Sequence, residues 1–394
     1  MRRYAHFLAR PTAPYFIILT SVAALSGLGL VMVLSASSVK SVTQNGTAYS
    51  IFAKQALFLS IGLIALYYGS RMKLQIWERL AKVAIPLSVV GLLLPQLPFI
   101  GREINGNKSW IGLGPFTLQP AEFAKLSLIL FCAMQLKRFD QRAARKEEKQ
   151  SPRELIFHLV PGAGIMILLI LLGKDLGTAL IVISITAAMI FLSGTPLRNL
   201  TSLAMGAGAL IAVMVVTQPH RMRRLSAFMH PFDPEVYKFA GWQTAHSIMG
   251  LASGGLFGVG LGASRQKWGN LSEANTDFIF SVIGEELGLL GTLLVLSLFA
   301  ALIYGIFRTA LHCEDLFTRY VCGGVGAWLL FQVLVNVASA IGVFPVVGVT
   351  LPFMSYGGSS LIANLLAISF VLNVLRRNPE VRQAIQGRKE ARRA

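Results

Sequence analysis

Charge is what this sequence has least of. Only 14% of its 394 residues are Asp, Glu, Lys or Arg, against roughly 25% in soluble domains, so most of the chain is suited to lipid rather than water. Cysteine is nearly absent: Cys132, Cys313 and Cys322 have no metal-ligand spacing and imply no disulfide framework, so they read as small buried hydrophobes. There is no G-x-x-x-x-G-K-[ST], no G-x-G-x-x-G after a strand, no H-E-x-x-H and no C-x-x-C, which removes the ground for ATP-driven transport and zinc chemistry. Low-complexity repeats are also absent.

What is present is apolar sequence, 54% of the residues with a mean hydropathy of +0.62. At ~1.5 Å rise per residue, about 20 apolar residues cross the ~30 Å hydrocarbon core of a bilayer. Ten runs qualify, near 14–36, 51–70, 78–98, 119–136, 155–172, 175–193, 198–217, 277–307, 320–342 and 355–375. The pattern predicts an all-α, polytopic integral membrane protein of ten transmembrane helices, a single membrane domain over 1–394. The basic residues ahead of the first run resemble a signal peptide, but that run is too long for a cleaved h-region and is taken as the first helix.

The net charge of +18 would suit a nucleic-acid partner, but its distribution favours another reading. If both termini lie in the cytoplasm, most of the 36 Lys and Arg residues fall on the cytoplasmic side, in the N-terminal arm, the connections near 71–82 and 137–153, and the basic tail 377–394. That is the positive-inside pattern. No nucleic-acid partner is expected.

One connection, 218–276, is too long to be a simple turn. It includes the glycine-rich apolar stretch 246–262, too broken to span and suited to a re-entrant or interfacial segment whose backbone is satisfied by protein. The same loop carries Arg221, Arg223, Arg224, Lys238, Arg265 and Lys267 on the side where the topology rule expects little positive charge, which points to an anionic substrate.

Ionisable residues at membrane depth are costly and mark function by default. Asp277 lies where a polar loop becomes the eighth apolar run. A partly desolvated carboxylate there is a better base, while the structural alternative is that Asp277 caps the helix. Glu122 and Lys125 share one face of the fourth helix, as an intrahelical ion pair or as part of a site. Trp110 serves either as an interfacial aromatic or as a sugar platform. Glu285 and Glu286 point away from Asp277 and sit about 12 Å deeper, as packing or coupling groups. The segment 351–360 opens the tenth helix with small residues and hydroxyls suited to close helix contact.

Several strings together resemble one family: KSWIGLGPFTLQPAEFAKL at 108–126, KDLGTAL at 174–180, RLSAFMHPFDP at 224–234, SGGLFGVGLGASRQK at 253–267, TDFIFSVIGEELGLLG at 276–291 and LPFMSYGGSSL at 351–361. They are similar, in order and over nearly the whole chain, to the SEDS proteins (shape, elongation, division and sporulation), most of all to the division branch in its actinobacterial form. Lys174 stands where the family usually has proline, Asn275 where it has histidine, and Ser272 where it has proline. The resemblance implies a peptidoglycan glycosyltransferase that polymerises lipid II during division, at the septum and on the outer face of the cell membrane. Asp277 would be the catalytic base, and Glu122, Lys125, Trp110, Arg221, Arg224 and Lys267 would bind substrate. No cofactor is certain, though a divalent cation, magnesium or manganese, is compatible with Asp277. The partners implied are lipid II and the growing glycan, a class B penicillin-binding transpeptidase and other divisome proteins. The alternatives are an elongation polymerase of the same chemistry, a lipid II flippase, or a non-catalytic scaffold.

Overall fold

In a computed structural model of the chain, residues 10–104, 106–114, 116–146, 152–216, 228–239 and 241–390 are described. Helices occupy all ten apolar runs: α1 (Ala13–Asn45), α2 (Ser50–Gly69), α3 (Leu74–Leu93), α4 (Pro120–Lys146), α5 (Pro152–Leu172), α6 (Leu176–Leu192), α7 (Leu197–Val216), α10 (Ile279–Leu311), α11 (Leu316–Ala340) and α12 (Gly358–Leu375). Two more helices, α8 (Pro234–Tyr237) and α9 (Trp242–Ser253), lie in the long connection, and α13 (Pro379–Glu390) follows α12. By length and composition, α1, α2, α5, α10, α11 and α12 can cross a membrane, and α6 is apolar but shorter.

The helices differ in how much neighbouring protein they face. In the most apolar window of α12, 78% of residues are buried, against 17% in α2. The first is central and the second peripheral, with its apolar side chains turned outward. An apolar helix with an exposed apolar face is unstable in water and at home in lipid. Around the centre, α12 packs on α2, α10 on α1 and α11, and α11 on α4 and α6. Close approach of α2 to α12 depends on Gly62 and Gly69, which sit against the Leu365 and Ser369 side chains.

The all-α expectation needs one correction. Between α3 and α4 the chain forms a three-stranded antiparallel sheet of β1 (Gly101–Ile104), β2 (Asn107–Leu113) and β3 (Phe116–Leu118). Ile104 pairs with Asn107 across a two-residue connection containing Gly106 at φ 81°. The Asn-Gly pair at 105–106 is the short-range hairpin signal. A scan for 20-residue apolar runs passes over it. Ser109 on β2 donates to the Gly173 carbonyl at 3.1 Å, fastening the sheet to the α5–α6 turn.

In the long connection, α9 packs on α10, and the glycine-rich strand after it pairs with a break inside α10. Gly288 there has φ 67° and ψ −166°. Val259 N and Gly260 N donate to the carbonyls of Glu285 and Glu286 at 2.9 and 3.1 Å, while Leu289 N and Leu290 N donate to Gly255 and Leu256 at 2.9 and 3.2 Å. The backbone groups freed by the break are therefore paired within the protein, as an apolar setting requires. A Cβ at Gly288 would collide with Gly258 N and the Leu256 carbonyl, in a dihedral region open essentially to glycine alone. Gly288→Ala is expected to lose at least ~2 kcal/mol, read as a lowered thermal midpoint in detergent, while Leu293→Ala on the exposed face of α10 stays near wild type.

Candidate functional site

The site is assembled where α4, α6, α10, α11 and α12 begin or end near one another. Pro120 opens α4 and places Glu122 in its first turn, where a carboxylate interacts favourably with the free N–H groups. Three residues on, the Lys125 ammonium lies 2.8 Å from Glu122, and both side chains are almost wholly buried. Lys125 also donates to Gln332 Oε1 at 3.1 Å and sits 4.8 Å from the centre of the Trp328 ring. Trp328 Nε1 donates to the same Gln332 oxygen at 2.6 Å, and Gln332 Nε2 donates to the Thr350 carbonyl at 3.0 Å. Each partner fixes the next, so the lysine is held in one pose.

Asp175 caps α6, accepting from Thr178 N at 3.0 Å and Thr178 Oγ1 at 2.9 Å. Gln119, just ahead of α4, donates to its other side at 2.7 Å. Burial pushes the Asp175 carboxyl above the usual carboxylate range, the Thr178 bonds oppose that, and the charges of Glu122 and Lys125 act on it in opposite directions. Lys174 beside it has φ 63°, a dihedral that proline cannot adopt.

Asp277 does not cap α10. The N-cap is Phe278, with no side-chain capping bond. Instead, the backbone around Asp277 is anchored at three consecutive carbonyls: Tyr356 N donates to Asn275 O at 2.8 Å, Ser355 Oγ to Thr276 O at 2.6 Å and Asn336 Nδ2 to Asp277 O at 2.7 Å. The half-buried Asp277 carboxylate itself receives no hydrogen bond among the described residues. Burial, then the neighbouring charges of Glu273 and Asp175, raise its pKa to about 7. A carboxylate poised there, backbone fixed and side chain unspent, is suited to take a proton near neutral pH.

The remaining expected residues are placed differently. Lys267 is drawn into a buried pair with Glu286 at 3.3 Å, and it also donates to Ser35 and to the Gly262 carbonyl. Its charge is already matched by Glu286 and belongs to the α10 anchor. Glu285 accepts from Arg265 N at 2.9 Å and from Ser264 Oγ, so both glutamates hold the 262–267 loop. Trp110 is half-buried on β2 opposite Arg102. Because Ser109 points to the α5–α6 turn, alternation turns Trp110 to the other face of the sheet. Arg221 and Arg224 lie outside the described residues.

Asn336, Ser355 and Tyr356 are positioning residues that a search for ionisable groups passes over, although the LPFMSYGGSS string contains two of them. Asn336 Nδ2 also donates to Val349 O at 2.7 Å. Asn336→Ala therefore leaves two buried carbonyls without this donor, costing about 1–3 kcal/mol, and lets the Asp277 backbone shift. The expected result is a folded protein with activity reduced on the order of 10²-fold, measured by turnover alongside the thermal midpoint.

A profile for the cell cycle proteins grouped as FtsW, RodA and SpoVE matches residues 16–380. The chain is 36% identical over 385 residues to a protein of Mycobacterium tuberculosis described as a probable peptidoglycan glycosyltransferase FtsW, covering 98% of this chain and 72% of that one. Among solved structures it is similar to a chain of a peptidoglycan synthase complex that coordinates polymerization and crosslinking. The TM-score is 0.72 and the identity 31%, with 91% of this chain and 97% of that one covered. It is also similar to the rod shape determining protein RodA of Thermus thermophilus, with a TM-score of 0.62 and 32% identity over 92% and 96% of the two chains. The chain belongs to the FtsW, RodA and SpoVE family of cell cycle proteins, the SEDS family.

Proposed function

We propose that this protein is a peptidoglycan glycosyltransferase of the division type, polymerising lipid II into glycan strands at the outer face of the cell membrane. The observation that carries the chemistry is the Asp277 carboxylate, backbone-anchored and free of hydrogen-bond donors among the described residues, with burial raising its pKa to about 7. The division role follows the relatives described as FtsW.

In the reaction the 4-hydroxyl of an acceptor sugar attacks the anomeric carbon of a donor carried on undecaprenyl diphosphate. A β-1,4 bond forms, the bond to the diphosphate oxygen breaks, and the configuration inverts. Asp277 takes the hydroxyl proton as that bond forms, and the diphosphate leaves with its electron pair. The Glu122–Lys125 pair, with Asp175 beside it, sets the charge of the inner wall. Lys125, held beside Glu122, supplies a fixed ammonium, and a departing diphosphate brought against it would be stabilised by that charge. Among the described residues, no three His, Cys, Asp or Glu side chains gather as a metal site. No step is assigned to a divalent cation.

All ten apolar runs are assigned as spans with both termini in the cytoplasm, which puts the Asp277 end of the bundle outside. The similarity to a synthase complex that coordinates polymerization and crosslinking supports a crosslinking transpeptidase as partner, and the septum as the place of work rests on the relatives described as FtsW.

Purified protein with labelled lipid II tests the reading, with and without the partner. Asp277→Asn is expected to lower polymer formation by ~10²–10⁴-fold while remaining folded. Wild-type turnover from the mutant, or lipid scrambling with no polymer from the wild type, overturns it. The pH dependence gives a second check. The base works ionised, so kcat/KM falls about tenfold per unit below pH ~7, and Glu273→Gln, which removes a like charge, moves that limb to lower pH. The raised proton affinity also means that ionising Asp277 opposes folding. The stability gain of Asp277→Asn therefore grows from about pH 4 to 7 and then levels, measured as the thermal midpoint across pH.

A further inference from the structure

Beside the Asp277 strand lies a second feature that the proposed chemistry does not use. A cleft of about 370 Å³ opens between α1 and the 267–275 loop, lined among others by Lys40, Lys267, Trp268, Glu273 and Asn275. Its volume falls within the ~300–1,000 Å³ range of small-ligand sites. Asn275 is 3% exposed, and its carboxamide has no hydrogen-bond partner among the described residues. A buried amide without a partner is costly unless something supplies one. Its backbone carbonyl is held by Tyr356 N at 2.8 Å, which anchors the residue beside the cleft.

Charge decides what chemistry fits. Lys267 faces Glu286 at 3.3 Å and Lys40 faces Glu273 at 3.9 Å, so each ammonium lining the cleft already has a carboxylate. A diphosphate would find no surplus positive charge among the described residues. An uncharged, hydroxyl-rich ligand would find an amide donor and acceptor and, at the rim, the Trp268 indole, 71% exposed. An exposed indole offers an apolar face to a sugar ring and a polar N–H at its edge.

We propose that this cleft is a saccharide subsite that holds an N-acetylhexosamine unit of the glycan next to the reacting sugar, with Asn275 bonding its polar groups and Trp268 stacking on its ring. Asn275 is two residues from Asp277, so a sugar seated there sets the register of its neighbour against the base. The assignment rests on the glycosyltransferase reading for its biological ligand. The incoming disaccharide and the growing strand present the same chemistry, and chain length separates them.

The test is binding, independent of turnover. Protein in lipid nanodiscs is titrated with lipid-free, peptide-free peptidoglycan tetrasaccharide and, separately, disaccharide, followed by saturation-transfer NMR and calorimetry. Wild type is expected to bind. Asn275→Ala and Trp268→Ala should weaken binding at least fivefold, without loss of fold because neither removes a described intramolecular side-chain bond of Asn275 or a buried indole. Tetrasaccharide binding tighter than disaccharide assigns the subsite to the strand, and equal binding assigns it to either source. Inorganic diphosphate should not displace the sugar. No binding by wild type, wild-type binding by both variants, or displacement by diphosphate overturns the proposal. Asp277→Asn should keep the binding while losing polymerisation. If it polymerises normally and still binds sugar, the catalytic reading fails and the subsite stands.

Discussion

The structure depends on how three consecutive peptide groups are held. The carbonyls of Asn275, Thr276 and Asp277 each accept a hydrogen bond from α11 or from the loop before α12, through Tyr356 N, Ser355 Oγ and Asn336 Nδ2. Buried carbonyls must find donors. Here the donors come entirely from across the bundle, so the backbone is immobilised without engaging the aspartate side chain. The carboxylate is left without a hydrogen bond among the described residues, and burial with the charges of Glu273 and Asp175 raises its pKa.

Two of the buried carboxylates are neutralised in place by lysines. Glu122 is answered by Lys125, and Glu286 by Lys267, both deeply buried. Such pairs gain little net stability over apolar replacements, but removing one member leaves a charge stranded. They act here as fixed points: one joins α4 to α11 through Gln332, and the other ties the 262–267 loop to α1 and α10. The break at Gly288 completes the second anchor, because the backbone groups it frees are the ones that hold the glycine-rich strand.

The scaffold therefore has two anchors on either side of Asp277. Above it the α11–α12 connection grips the backbone, and beyond it the 254–267 loop grips the first turns of α10. The cleft at Asn275 lies where these meet α1, so Asn275 and Asp277 share one anchored stretch of chain.

Much of the bundle was legible in the sequence, because the demand for about 20 apolar residues per crossing acts on each segment separately. Helices stand at all ten runs, and the SEDS motifs carried the family. The small sheet was missed although its Asn-Gly turn is visible, since a scan for long apolar runs skips short alternating strands. Asp277 could be picked out as a boundary carboxylate, but position alone left capping and catalysis both open. Lys267 was read from the excess of positive charge in its loop, yet its partner Glu286 is 19 residues further along, beyond Asp277. The donors to the Thr276 and Asp277 carbonyls come from 79 and 59 residues away, and no local pattern encodes such pairings. The sequence by itself determined the solvent, the helices, the family and the candidate carboxylates, because hydrophobic length and motif order are local properties. Only the tertiary structure decided which charges are already matched and which carboxylate is left unspent, because pairing in a bundle is a contact between segments far apart in the chain.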